Sequence, residues 1–353
     1  MIYDLIPGGN VMRYVVIEKA EESMVLARPI FDGSSRVLLG TNTILTKDYI
    51  DRLMKLGLPG FYVEDELASD IEIDDTITPE LRNEGVEALR SGNIDKTMEV
   101  AKGIVEQILS KAVVSLDLVD LRTFDDYTYR HSVNVAVLST IIGINMDFNQ
   151  FMLQELCVSA ILHDIGKLMV PPEILNKPEK LTDDEFFEVK KHPDYAFGIL
   201  KKRMDISART RAGVLSHHEN EDGTVYPYGL IRDQIYIYAK IIHVADVFDA
   251  LTSRRPYKMP YPRSEAVEYL MGSCDRLFDR EVVMAFIKSV PIYPKGTMIT
   301  LSDGREGLVI GNSDNVLRPV IRLLDGTQID LGKSVQYRSI TIVQDAVPDQ
   351  QFV

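Results

Sequence analysis

The run His163-Asp164-Ile165-Gly166-Lys167 sets an imidazole, a carboxylate and an ammonium side by side at the end of an apolar segment, CVSAILHDIGK. All six histidines of the chain fall between positions 131 and 243. Imidazole nitrogens and carboxylate oxygens together suit Fe, Mn, Zn and similar divalent ions, and a carboxylate has two oxygens with which to bridge a pair of them.

Helical spacing brings several of these groups inward. In RHSVNVAVLSTIIGI the stripe His131, Val135, Leu138, Ile142 advances by four, three and four, so His131 shares the buried face of its helix. The stripe Leu153, Leu156, Ala160, Asp164 turns an aspartate inward. A third helix, DQIYIYAKIIHVADVFDALTS, does the same for Asp246, with Asp249 or Ala250 continuing the face. One buried histidine is ordinarily a satisfied core residue. Two buried carboxylates are different, because desolvating each costs several kcal/mol unless it is paired or binds a cation. Lys167 and Arg255 offer a salt-bridged alternative. The surplus of imidazoles, His131, His163, His192 and the pair His217-His218, favours metal. His243, three residues before Asp246, reads as a packing residue beside Val244, with a supporting place next to the metal ligands as the alternative.

The elements that position these residues occupy the middle of the chain. Residues 1–63 read as a small α+β input or docking domain, with short strands and a helix, TKDYIDRLMKLG, capped by Thr46. An acidic stretch, 64–77, reads as a solvated linker. Thr78-Pro79-Glu80 opens a helical connector, 78–120, in the order cap, proline, acid. Helical patterning continues through a bundle at 121–290. Residues 291–345 alternate apolar and polar around Asp303-Gly304 and Asp325-Gly326, the signature of an antiparallel β-hairpin appendage. Residues 346–353 read as a disordered tail. The fold class is therefore mainly α, an all-helical bundle flanked by a small α+β domain and a short antiparallel β appendage.

Composition narrows the function classes. The 353 residues are 45% hydrophobic and 26% charged, and no apolar run reaches the roughly 20 residues of a membrane span. The start of the chain lacks the basic and long apolar segments of a signal peptide, so a cytoplasmic location is expected. A net charge of −14 argues against DNA or RNA binding. Cys157 and Cys274, with no CxxC or His-spaced pairing, read as reduced and structural.

The order His131, HDIGK, His192, His217-His218-Glu219 with Asp222-Gly223 and Tyr226-Pro227, then DVFDALTSRRPYK, resembles the HD-GYP branch of the HD phosphohydrolases over about Leu121 to Ser289. The segment VPPEILNKPEKLTDDEFFEVKKHP is also similar, with Thr182 and Glu185 spaced as a capping box before the helix that delivers His192. The resemblance implies an all-helical HD domain holding two divalent ions, Fe or Mn first and Zn, Ni or Co as alternatives. Its implied metal ligands are His131, His163, Asp164, His192, His217, His218 and Asp246, with Asp164 bridging. It also implies cyclic di-GMP as substrate, contacted by Lys167, Tyr226, Arg255 and Lys258. For Arg254, phosphate binding and helix capping weigh equally. Two positions depart from the pattern. Val225 replaces the glycine of GYP, removing a residue that tolerates positive φ. Tyr127 stands where members with a third metal carry a glutamate, and although Asp125 and Asp126 lie near, two metals are expected.

The implied chemistry is hydrolysis of cyclic di-GMP to linear pGpG, with GMP as a further product, by a hydroxide held between the ions. No Ser/His or Cys/His arrangement competes as nucleophile. Lys167 is placed either to hold a phosphate oxygen or to pair with a ligand carboxylate. Alternatives are a different cyclic dinucleotide, or a metal-containing sensor or docking module with little turnover. The amino-terminal domain is a candidate surface for a protein partner. The helical run from Asn93 to about Leu118 has the length to form a homodimer or to act as a spacer.

Overall fold

The computed structural model describes residues 12–31, 36–56, 58, 60–68, 71, 75–111, 127–177, 179–253, 261–313 and 315–344. The tail at 346–353, Asp125, Asp126 and the cluster Arg254, Arg255 and Lys258 lie outside them. The chain divides into two units: Met1–Asp75 with Leu116–Asp125 and Pro291–Val353, and Thr76–Ser115 with Asp126–Val290.

The first unit is mainly β. Strand β1 (Met12–Val16) pairs antiparallel with β4 (Gly60–Glu64), and β2 (Ile30–Phe31) with β3 (Val37–Leu39). Helix α1 (Lys47–Lys55) begins where the Thr46 side chain accepts from Tyr49 N–H, and it buries Ile50 and Leu53. Strands β5 (Met298–Leu301), β6 (Glu306–Gly311), β7 (Val320–Leu323), β8 (Gln328–Asp330) and β9 (Ile342–Gln344) form a sheet in the order β8-β7-β6-β5-β9. The β5–β6 and β7–β8 turns fall at the two Asp-Gly pairs, with Gly304 at φ +85° and Gly326 at φ +86°. Met12, Tyr14, Tyr62 and Ile71 share one core cluster with Leu308. The amino-terminal and β segments, read apart in the sequence, thus lie in one unit.

The acidic stretch departs from the expected solvated linker. Ala68, Ile71 and Ile77 are buried, Asp65 pairs with Arg13 at 2.5 Å, and Asp75 pairs with Arg28 at 2.6 Å. Ala68, Ile71 and Ile77, interspersed with and following the acids, give the segment buried positions.

The second unit is helical: α2 (Pro79–Arg90), α3 (Ile94–Leu109), α4 (Tyr127–Asn145), α5 (Gln150–Ile161), α6 (Pro172–Leu175), α7 (Asp183–Val189), α8 (His192–Leu200), α9 (Ala208–Ser216), α10 (Ile237–Thr252), α11 (Arg263–Gly272) and α12 (Arg280–Ser289). Helix α4 is buried on every side from Arg130 to Gly143, and it takes the polar Arg130, His131, Ser132, Asn134, Ser139 and Thr140 into the interior with its apolar residues. It packs against α5 and α10, which bury Leu153, Leu156, Ala160, Ala239, Ile242 and Phe248. Thr182 and Glu185 form the expected capping box at α7. Among the described residues, no helix is long and apolar enough to cross a membrane.

Candidate metal centre

Five segments deliver the site. His131 lies in α4, His163 and Asp164 in the turn that ends α5, and His192 opens α8. His217 and His218 follow α9, and Asp246 sits within α10. Their donor atoms gather into two groups, His131 with His163 and Asp164, and His192 with His217 and His218, each spanning less than 4.8 Å.

Three of the rings are fixed by the same local device. The Nδ1–H groups of His163, His192 and His217 donate to the carbonyls of Ala160, Val189 and Val214, each three residues earlier, at 2.7, 2.8 and 2.7 Å. A carbonyl can only accept, so Nδ1 carries the proton and Nε2 presents a lone pair. These carbonyls belong to the last turns of α5, α7 and α9, where helices run short of backbone donors; the Ala160 carbonyl also accepts from the His163 backbone N–H at 3.4 Å. The helix end is satisfied and the ligand atom is aimed by one hydrogen bond.

The lone pairs converge. His192 Nε2 lies 3.3 Å from His217 Nε2 and 3.2 Å from His218 Nε2. The Nε2 atoms of His192 and His217, which both lack a proton, repel at that distance, and a cation between them removes the conflict. Burial, the largest cause, holds His192 down to about 4, His218 down to about 3 and His217 well below the usual imidazole range. These rings are therefore neutral at pH 7 and competent as ligands.

Asp164 faces both groups. Its Oδ2 lies 3.3 Å from His163 Nε2, and its Oδ1 lies 3.3 Å from His192 Nε2. Oδ1 is buried and accepts no hydrogen bond. Burial alone would raise its pKa, but the Lys167 ammonium and the neighbouring imidazoles outweigh burial and hold the group well below the carboxylate range. An ionised, buried oxygen without a donor suits a cation. Lys167 Nζ sits 2.6 Å from Asp164 Oδ2, the carboxylate pairing weighed against a phosphate contact.

His131 is held differently. Its Nε2 meets Asp246 Oδ1 at 2.9 Å and its Nδ1 meets Asp249 Oδ2 at 2.6 Å. Burial lowers its pKa, yet the hydrogen bonds and charges of the two aspartates more than reverse this and lift it to about 9. Asp249 is fully buried and also accepts from Asn134 Nδ2 at 3.2 Å. Sequence reasoning placed Asp249 on the inward face without a task. Its position one turn beyond Asp246 on the same helix face was the available signal.

The rim is built on the 219–231 loop. Buried Glu219 accepts from the backbone N–H groups of Tyr228 and Leu230 at 2.7 and 3.0 Å, closing the loop onto the His217-His218 turn. The left-handed positions are Gly223 (φ +72°) and Gly229 (φ +65°), and Val225 is not among the residues of positive φ. Tyr226 lies with its ring 4.8 Å from that of His218, and Lys190 Nζ lies 5.5 Å from the tyrosine ring. Burial, followed by the charges of Asp246 and Asp164, raises the Tyr226 phenol above its ordinary range. His243 stands outside both clusters, buried with its ring 4.9 Å from that of Phe278.

A family model described as HD domain matches residues 117–282. The chain is 39% identical over 231 residues to a cyclic di-GMP phosphodiesterase of Pseudomonas aeruginosa, covering 63% of this chain and 56% of that one. It is 34% identical over 192 residues to a 3'3'-cGAMP-specific phosphodiesterase of Vibrio cholerae, covering 54% of this chain and 43% of that one. The chain thus spans about half the length of these curated relatives. Among solved structures, an HDG"Y"P protein from Bdellovibrio bacteriovorus shares the fold, with a TM-score of 0.51 at 16% identity over 78% of this chain and 98% of that one. Two adjoining donor clusters, one of three histidines and one of two histidines with an aspartate, thus lie on a helical scaffold whose residues 117–282 match the HD domain model and whose fold is similar to that of the HDG"Y"P protein.

Proposed function

We propose that the chain is a metal-dependent phosphodiesterase that hydrolyses cyclic di-GMP to linear pGpG, with GMP as a further product. The observation that carries this reading is the pair of adjoining donor clusters with Asp164 facing both. His131, His163, Asp164 and Asp246 would hold one ion and His192, His217 and His218 the other, with Asp164 shared between them. When bound, a pair of divalent ions supplies Lewis acidity at the phosphodiester and makes water nucleophilic near neutral pH.

The side chains do the rest. Lys167, next to Asp164 and part-exposed, reaches a non-bridging phosphate oxygen or the departing 3′-oxygen. Tyr226, kept protonated beside His218, donates a hydrogen bond at the rim. Arg255 and Lys258 contact the second phosphate or a guanine. Fe or Mn is the native metal in this reading, ahead of Zn, Ni or Co, and the protein works in the cytoplasm. The amino-terminal segment receives a protein partner.

The test is purification under anaerobic conditions, quantification of Fe, Mn and Zn per chain, and chromatography of products from cyclic di-GMP and cyclic GMP-AMP. Two metals per chain and linear pGpG are expected. Linear product from cyclic GMP-AMP alone would move the substrate assignment. Tight nucleotide binding with both metal sites filled and no product would make the protein a sensor.

A further inference from the structure

A buried polar chain connects α2 to the His131 cluster. Arg82, 6% exposed, donates from Nη1 to Asn134 Oδ1 at 2.9 Å. Asn134 Nδ2 donates to Asp249 Oδ1 at 3.2 Å, and His131 Nδ1 lies 2.6 Å from Asp249 Oδ2. Only one assignment of donors satisfies this series. A guanidinium can only donate and a carboxylate can only accept, so the amide between them must present its oxygen to Arg82 and its NH2 to Asp249. Asp249 then accepts from His131 Nδ1, and the ring turns Nε2 toward the cluster. No salt bridge to Arg82 occurs among the described residues, although burying a guanidinium costs several kcal/mol unless polar partners offset it.

We propose that Arg82 is a positioning residue for the His131 metal cluster, acting through Asn134 and Asp249 to hold the imidazole in register with its ion. The inference rests on the metal-dependent reading above. Arg82 precedes residues 117–282, the segment matched by the HD domain family model. The connector helix α2 is thereby part of the metal centre, and a shift of α2 along this chain changes the affinity of one ion and not the other.

The experiment is titration of the full-length, metal-stripped chain with MnCl2, followed by calorimetry and by the electron paramagnetic resonance of bound Mn(II). The variants are Arg82→Met, Arg82→Lys, Asn134→Ala and the double variant Arg82→Met/Asn134→Ala. Loss of a residue that orients a metal ligand lowers affinity about 10- to 100-fold. Arg82→Met should show that loss for one ion and leave the other within about twofold, Arg82→Lys should recover most of it, and the double variant should be no worse than the worse single. Equal weakening of both ions in step with a lower melting temperature, or two ions bound at wild-type affinity, would overturn the proposal. Should Arg82→Met fail to fold, wild-type affinity in Asn134→Ala overturns it equally. Failure of the wild type to bind two Mn(II) would instead overturn the metal-dependent reading.

Discussion

Gly166 offers the most direct test of how the site is assembled. A Cβ built on Gly166 would lie 1.9 Å from the carbonyl oxygen of His192 and 2.6 Å from the amide nitrogen of Ala196, both backbone atoms of α8. No side-chain rotation relieves such contacts. Bringing the nearest to the 3.0 Å that real Cβ atoms tolerate requires about 1.1 Å of separation between the HDIGK turn and α8. That displacement carries His192 away from Asp164, whereas metal–ligand distances tolerate only about 0.2 Å. Gly166→Ala should therefore bind the ion at the His192 group at least ~10-fold more weakly and turn over at least ~100-fold more slowly. Overpacking of this kind costs about 1–3 kcal/mol, which lowers the melting temperature by roughly 2–12 °C for a unit of this size. Gly198→Ala is the control on the same helix. Nothing lies within 4 Å of its added Cβ, and replacing a helical glycine should stabilise by about 0.5–1 kcal/mol. Metal per chain and thermal melts of the two variants decide the matter. Full metal occupancy and an unchanged melting temperature in Gly166→Ala would refute the packing argument.

Three further outcomes are expected. Because the aspartates lift His131 to about 9, a proton competes with metal at this ring below that pH and is gone above it. Mn(II) affinity at its cluster should rise with pH, by up to about tenfold per unit between pH 7 and 8, and level off near pH 9; a flat calorimetric profile would contradict the assignment. Lys167→Ala should keep both ions while kcat falls about 10²-fold, the usual loss on removing a donor to developing charge. Unchanged kcat would restrict the lysine to neutralising Asp164. Val225→Gly should leave kcat and KM within about twofold, since the left-handed positions of the loop are Gly223 and Gly229. A large change in either constant would show that residue 225 itself shapes the pocket.

What could be read from the sequence followed periodicity and local turn chemistry. His131, Asp164 and Asp246 fall inward because helical stripes of apolar residues carry them there, and α4, α5 and α10 bury those stripes. The capping box at Thr182 and the Asp-Gly turns appear where short-range rules put them. Long-range pairing left no such mark. Nothing near Met12 announces that it shares a core with Leu308, and acid count masked the apolar side of residues 64–77. The expected rim cations Arg255 and Lys258 fall outside the described residues. Within the site, the backbone contacts that orient His163, His192 and His217 depend on where helices end, which spacing alone fixes only to within a residue or two.

The three Nδ1 hydrogen bonds also tie ligation to the fraying of helix ends. The last turn of a helix opens more readily than its middle, exposing carbonyls to water. At α5, α7 and α9 that opening would break the bond that holds an imidazole in place. An ion gripping Nε2 therefore adds its own binding free energy to the cost of opening each of these turns. Metal uptake becomes visible far from any ligand atom, as slowed amide exchange at helix termini separated by dozens of residues in the chain. Bound ions would in this way rivet the bundle together.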